Sequence, residues 1–476
     1  MPIPDVNLTP MSDWDNLGNF FGGPMAPMIE EMTKALEAGA GVDAASYTGG
    51  RALGYESLEA LLHSVTLTED DAKLWRMLPK RSINATIDQF NRRTGYGGRW
   101  GMAVAESSNP VARISDLARA YEQVRFYRDY REVSDVSMMV HNTVNPDAEE
   151  EQAAITQLVH SIDEDLYWGV NSTANASFPL RVDGLFNRII DNGTATVIDL
   201  EGAKLTSRDP FNQALALTRN LGGRITHAFM NPLLQEDFSI IYATAERVII
   251  DAAGAGLMAG GKMNGVATAQ GDVYFEGDPF NLVSWAFPAV ALGNAATRPA
   301  APTLNSATAG STGGTIPSGD YYYRVTAVNE DGESTSVASG ATTVTLGQTV
   351  TLDISPAASL ATGFRIYRSE KDAASAADCR YQWVEVNAGA NTTWVDDGSW
   401  IPGCAHVLLL DMRPQSHVLQ WSQLLPASRK NLAQTGPTRP FLVNIYGGLR
   451  VAKPEWCGLI KNILPTVTSD DGWAPV

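Results

Sequence analysis

The stretch Pro146 to Gly169, PDAEEEQAAITQLVHSIDEDLYWG, decides how the rest of this chain is read. Ile155, Leu158, Val159, Ile162 and Leu166 recur at intervals of three and four, so a helix lays them along one apolar stripe. Asn145 is placed to cap its start, and Pro146 suits the first helical position. Glu149, Glu150 and Glu151 lie where the helix dipole favours negative charge. At ~1.5 Å per residue such a helix spans roughly 36 Å, long enough to be the spine of a plate-like domain. Asp163, Glu164 and Asp165 stand at the end where the dipole opposes them, so packing rather than propensity must hold that end.

Working back from the helix, the chain between Arg81 and Arg131 is dense in arginine and carries a glycine-rich tip at Gly95, Gly97, Gly98 and Gly101. The incoming run NATIDQFNRRTGY and the returning run YEQVRFYRDYREVS predict a long hairpin, since β-branched and aromatic residues alternate in part with charge. A basic, aromatic ribbon of this kind suits either single-stranded nucleic acid or an acidic neighbouring subunit. The 35 Lys+Arg against 53 Asp+Glu, a formal charge of −18, favour docking on a copy of the same chain and disfavour a sequence-specific DNA binder. Before the hairpin, YESLEALLHS and EDDAKLWRML predict two short helices, the second stopped by Pro79. The first fifty residues, rich in Gly, Ala, Pro and Asn, cannot bury their own surface, and such an arm needs a host.

Working forward, residues 178 to 280 mix strand and helix patterns. Asp209 to Leu221 reads as a helix ended by Gly222-Gly223, Arg224 to Met230 as a buried strand, and Pro232 to Tyr242 as a second helix. At Arg298 the composition turns to Pro, Ala, Thr, Ser and Gly, and helical periodicity disappears until about Cys404. Runs such as YYYRVTAV, TVTLDI and FRIYRS, punctuated by turns, predict a small β-sandwich inserted in a loop of its host. Gly319 to Asn329, with Gly332-Glu333-Ser334, resembles a fibronectin type III or immunoglobulin-like module, a likeness that says little about function. Mixed α/β character resumes at His406.

The groups that carry chemistry do not converge in the sequence. Gly254 to Ala259 has dinucleotide-fingerprint spacing and Gly256 to Lys262 has P-loop spacing, but Met263 stands where a hydroxyl must reach magnesium, and no helix pattern follows. The six histidines form no HxH or HExxH pair, and His160 beside the apolar stripe reads as a packed or hydrogen-bonded side chain. Cys379, Cys404 and Cys457 form no CxxC pair. A Cys379–Cys404 bridge is conceivable, but free thiols are the better reading. Asp396-Asp397 and Asp470-Asp471 are neighbours that face apart rather than converge. No catalytic group, cofactor or metal is expected. No apolar run reaches the ~20 residues that span a bilayer, and Met1-Pro-Ile-Pro-Asp is not the opening of a signal peptide, so a soluble protein made in the cytoplasm is expected.

Taken in order, arm, hairpin, long helix, α/β region and returning C-terminal segment resemble the tailed-phage major capsid proteins of the Hong Kong ninety-seven type. Three stretches carry the likeness: Ala118 to Ser137 (ARAYEQVRFYRDYREVSDVS) before the long helix, Gly222 to Met230 with Asp237-Phe238, and Phe441 to Val451 followed by Pro454 and Ile460. The resemblance implies an α+β fold divided into an N-terminal arm with short helices (1–80), an extended hairpin loop (81–135), a peripheral domain with the spine helix (136–177), and an apical domain (178–298). The inserted β-sandwich (299–404) and a return to the apical and peripheral domains (405–476) complete it. It implies a structural subunit that self-assembles into hexamers and pentamers of an icosahedral head around non-specifically packaged double-stranded DNA. Decoration and portal proteins would be further partners, there would be no membrane, and the virion, assembled in the host cytoplasm, would be its location. Arg92, Arg93, Arg99, Arg125, Arg128 and Arg131 are the expected inter-subunit contacts. Two alternatives remain: a polysaccharide-acting enzyme or adhesin with a fibronectin-like accessory module, and a cellular nanocompartment shell of the same fold.

Overall fold

The computed structural model describes residues 67–98, 102–140, 145–169, 181–245, 264–281 and 297–466, the last range without 330–331, 357–360, 362, 380, 388–391 and 402. The chain divides into two units, Met1–Ser64 and Val65–Val476. The opening arm, the YESLEALLHS helix and the glycine-rich near-motifs of 254–263 lie outside the described residues. The second unit is an α+β structure organised around the spine helix.

The spine helix runs Pro146–Trp168. The Asn145 side chain accepts the Asp147 N–H at 3.1 Å, satisfying one of the donors that a helix start leaves without partners. Leu158, Val159, Ile162 and Leu166 are buried, and Ile155 packs against the same core. The acidic end is held by packing, as the sequence requires. Asp163 accepts the Trp75 N–H, Asp165 accepts the Tyr127 hydroxyl at 2.8 Å, and Trp168 lies edge-on to Phe186 with ring centroids 4.8 Å apart. At the other end Arg429 reaches Asp147 at 2.7 Å and Glu151 at 2.6 Å while stacking on Phe441. His160 bonds the Thr68 carbonyl at 3.0 Å and packs on Phe280, the structural role expected of it.

Against the helix lies a four-stranded sheet in the order Lys80–Ser82, Leu419–Asn431, Thr438–Val451, Arg125–Ser134. This corrects the hairpin expected from the sequence. The hairpin pairs Ile87–Gly95 with Asp116–Gln123 only, and Arg125–Ser134 leaves it to pair antiparallel with Thr438–Val451, from Arg125↔Gly447 to Ser134↔Thr438. The division falls at buried Val124, whose N–H donates to the Thr86 carbonyl. Local periodicity cannot show it, because the competing partner lies some three hundred residues later in the chain.

A six-stranded mixed sheet has the order Thr196–Asp199, Gly458–Ile463, Ala405–Leu410, His227–Met230, Gly271–Gly277, Gly265–Thr268. Its third strand is buried throughout and divides two cores by alternation. Leu408 and Leu410 join the spine-helix core, while Val407 and Leu409 join Phe211, Leu234, Phe238 and Phe275. The helices are Asp209–Asn220 and Pro232–Ala245, and the first ends as expected, with Gly222 at φ +98° and the Gly223 N–H returned to the Thr218 carbonyl.

Between the fifth strand of this sheet and its third, which comes after it in sequence, ten short strands from Thr303 to Asp396 form three small sheets around a core of their own. Tyr323, Val325, Val350, Leu352, Phe364 and Ile366 lie within it. It also encloses charge. Arg368, 1 % exposed, pairs with Asp396 at 2.6 Å, and Asp396 also accepts the Tyr323 hydroxyl. Cys379, Cys404 and Cys457 are free and buried.

Candidate inter-subunit surface

The hairpin is built to be held at one end only. At its base burial alternates, with Asp88, Phe90 and Glu122 inside, whereas Asn91 onward on one strand and residues back to Asp116 on the other are exposed or half-buried on both faces. A lone two-stranded ribbon is marginal in water, so the base must fix it. Four contacts do so. Glu122 takes a two-pronged pair from Arg188, whose Nε also reaches Asp183 at 2.7 Å. Asp88 accepts the Ser422 hydroxyl at 2.6 Å between Arg81 and Arg450. The Arg450 guanidinium covers the Phe90 ring at 4.3 Å. Arg92 pairs with Glu455. Burial pushes the Glu122 carboxyl above its ordinary range even though Arg188 pulls it down.

Beyond the base the ribbon and its loop present large apolar side chains to solvent: Tyr96, Val111, Ile114, Leu117 and Tyr121, with Ile114 86 % and Val111 77 % exposed. Phe126, Tyr130, Val136 and Met139 continue this exposure along the next strand and short helix. Elsewhere among the described residues exposed large apolar side chains are scattered through the chain. Soluble monomers rarely expose large contiguous apolar area, which makes this concentration the candidate contact surface.

The predicted arginines fall differently. Arg92 is spent on Glu455, and Arg131 on Asp129 and Glu150 at 2.9 and 3.2 Å. Arg125 is buried. Arg93 stacks over Tyr96 at 5.3 Å, and Arg128 donates to the Tyr446 hydroxyl at 2.9 Å beside the Phe126 ring. Both remain exposed. Arg99 lies outside the described residues. Charge in the sequence pointed to the arginines, whereas the structure also exposes Tyr96, Val111, Ile114, Leu117 and Tyr121. Their signal was available in VARISDL, Val111 to Leu117, three large aliphatics in a segment that no core claims.

No group of three or more His, Cys, Asp or Glu side chains is placed to hold a metal among the described residues. No helix there is long and apolar enough to cross a membrane. Asp163 and Asp278, a pair of buried acids from distant parts of the chain, are both sealed from solvent.

No family model matches the chain. Over 456 residues, 91 % of this chain and 95 % of its counterpart, it is 26 % identical to a protein assigned as the major capsid protein of Enterococcus phage phiEF24C. It is 22 % identical over 448 residues to the major capsid protein of Staphylococcus phage K, again over 91 % of this chain and 95 % of the other. Among solved structures, the encapsulin complex of Synechococcus elongatus PCC 7942 superposes with a TM-score of 0.43 and 10 % identity, covering 88 % of this chain and 95 % of that one. The class that the sequence relatives define is the structural capsid protein of phages. Within it, the role is that of the major capsid protein.

Proposed function

We propose that this chain forms the hexamers and pentamers of an icosahedral phage head by laying its hairpin on a neighbouring copy, and that it catalyses no reaction. The observation that carries this is the ribbon fixed by ion pairs at its base and, beyond it, exposing Leu117 and Tyr121 on one strand and Tyr96, Val111 and Ile114 in the loop between its strands. One subunit leaves that surface wet. Covering each side chain such as Ile114 or Leu117 contributes about 1.5–3 kcal/mol, and the contact recurs at every subunit of a shell. Arg93 and Arg128, exposed at the rim, would then meet acidic groups of the neighbour and set register more than strength. Of the other arginines expected to touch a neighbour, Arg92 and Arg131 are spent on ion pairs within the subunit and Arg125 is buried, so they would support the hairpin rather than meet the neighbour, and Arg99 lies outside the described residues. The strands from Thr303 to Asp396 are read as an immunoglobulin-like module inserted in the host fold and facing decoration or attachment partners. DNA would be enclosed without sequence recognition, and assembly would take place in the host cytoplasm.

The test is electron microscopy of the purified full-length chain beside Ile114→Glu with Leu117→Glu. Rings or shells are expected for the wild type, and for the variant a folded subunit that does not assemble. A wild-type chain that stays a monodisperse monomer at high concentration across ionic strengths, or a variant that assembles normally, refutes the reading.

A further inference from the structure

Beneath the last turns of the spine helix two carboxyl groups from distant parts of the chain are shut away together. Asp163 lies on the helix, Asp278 directly follows the strand Gly271–Gly277, and both are 0 % exposed. Successive backbone N–H groups of the segment that leads towards the hairpin reach one each. Leu74 donates to Asp278 Oδ2 at 3.2 Å and Trp75 to Asp163 Oδ1 at 2.6 Å. Asp278 also accepts the Tyr167 hydroxyl on Oδ2 and the Phe280 N–H on Oδ1, both at 2.9 Å. Three donors satisfy it as an anion. Asp163 Oδ2, by contrast, is buried with no donor among the described residues.

Two carboxylates side by side in a site without water repel each other strongly, and an orphaned buried oxygen adds its own cost. One proton removes both penalties, and the hydrogen bonds say which oxygen carries it. We propose that Asp163 and Asp278 share a single proton, resident on Asp163 Oδ2 and donated to Asp278, and that this proton fastens the segment Ala72–Leu78 to the spine helix and the six-stranded sheet. The subunit needs that proton whether or not it builds a shell.

Burial, reinforced by the Asp278 charge, holds the Asp163 carboxyl well above the ordinary carboxylate range, and burial raises Asp278 as well, so the two titrate as a pair. A folded-state value above the unfolded one gives stability that is complete below the unfolded value of about 3.9 and falls as pH rises towards the folded one. The unfolding constant therefore grows about tenfold per pH unit within that window. The other charged groups around the site are accounted for. Lys73 faces Glu276 at 3.6 Å, Arg76 pairs with Asp70, Glu69 accepts the Thr156 hydroxyl of the spine helix at 3.3 Å, and Asp71 accepts the Thr68 N–H at 2.7 Å. Glu164 is half-buried beside Asp163, and burial with the Asp278 charge keeps the Tyr167 phenol neutral. His160, which bonds the Thr68 carbonyl and packs on Phe280, is the neighbouring imidazole and serves as the control.

The experiment measures urea unfolding of the full-length chain from pH 5 to 9, with hydrogen exchange over Ala72–Leu78 corrected for intrinsic rate. D163N supplies an amide N–H to Asp278 and still accepts from Trp75, so it should fold. Relative to it, the wild type should gain about tenfold in unfolding constant per pH unit and open its 72–78 amides as pH rises. D278N sets an amide N–H against existing donors and should be destabilised at every pH. H160Q should keep the wild-type dependence. The proposal is overturned if D163N keeps the wild-type slope or fails to fold, if D278N is tolerated as well as D163N, or if H160Q alone removes the slope.

Discussion

Replacing Arg188 by Met tests how the hairpin is held. The side chain is 23 % exposed and its partner Glu122 only 8 %, so the substitution leaves a desolvated carboxylate without its cation and takes a partner from Asp183 as well. Breaking such a pair from one side costs about 3–5 kcal/mol when fully buried. The partial exposure of Arg188 places the expected loss near the lower end, about 3 kcal/mol at pH 8. Glu122→Gln in the Arg188→Met background should recover about half of it, because the group left behind is then neutral. The pH dependence has a definite sign. The Glu122 carboxyl is already raised by burial and rises further without Arg188. The penalty should therefore be small near pH 4, where the folded acid is largely neutral with or without Arg188, and should grow as pH rises through the folded value. Urea unfolding of the four chains of the cycle at pH 4.5 and 8 reads this directly. A loss under about 1 kcal/mol at pH 8, or one that does not change with pH, would show that the base of the hairpin is held by other contacts.

Three further outcomes are expected. Gly447→Ala drives a Cβ into the Trp421 ring and should cost about 1–3 kcal/mol in thermal unfolding, part of which Trp421→Phe returns; an unchanged midpoint counts against the close approach. Arg368→Met strands Asp396 inside the Thr303–Asp396 strands and should cost ~3 kcal/mol there, and if that region folds by itself calorimetry will show its transition moving while the spine-helix signal at 222 nm keeps its midpoint. Burial lowers the His406 imidazole to about 3, so its neutral form is built in; stability should fall by about 1.4 kcal/mol per pH unit as pH drops below about 6.5, and His406→Gln should flatten that slope.

The spine helix was legible in the chain because its signals are local: Asn145, Pro146 and the stripe from Ile155 to Leu166 lie within a few turns of one another and act through the helix's own geometry. The helix from Asp209 and its glycine stop were readable for the same reason. So was the shift of composition at Arg298, beyond which the strands begin. What tertiary structure alone decided is where distant segments compete. Arg125–Ser134 has the pattern of a returning hairpin strand, but Thr438–Val451 offers it ten paired residues, and no local feature announces that partner. Arg92 and Arg131 looked free for a neighbour because Glu455 and Glu150 come to meet them only in the folded chain. Asp163 and Asp278 are 115 positions apart, and the repulsion that demands a proton between them exists only once folding has removed the water.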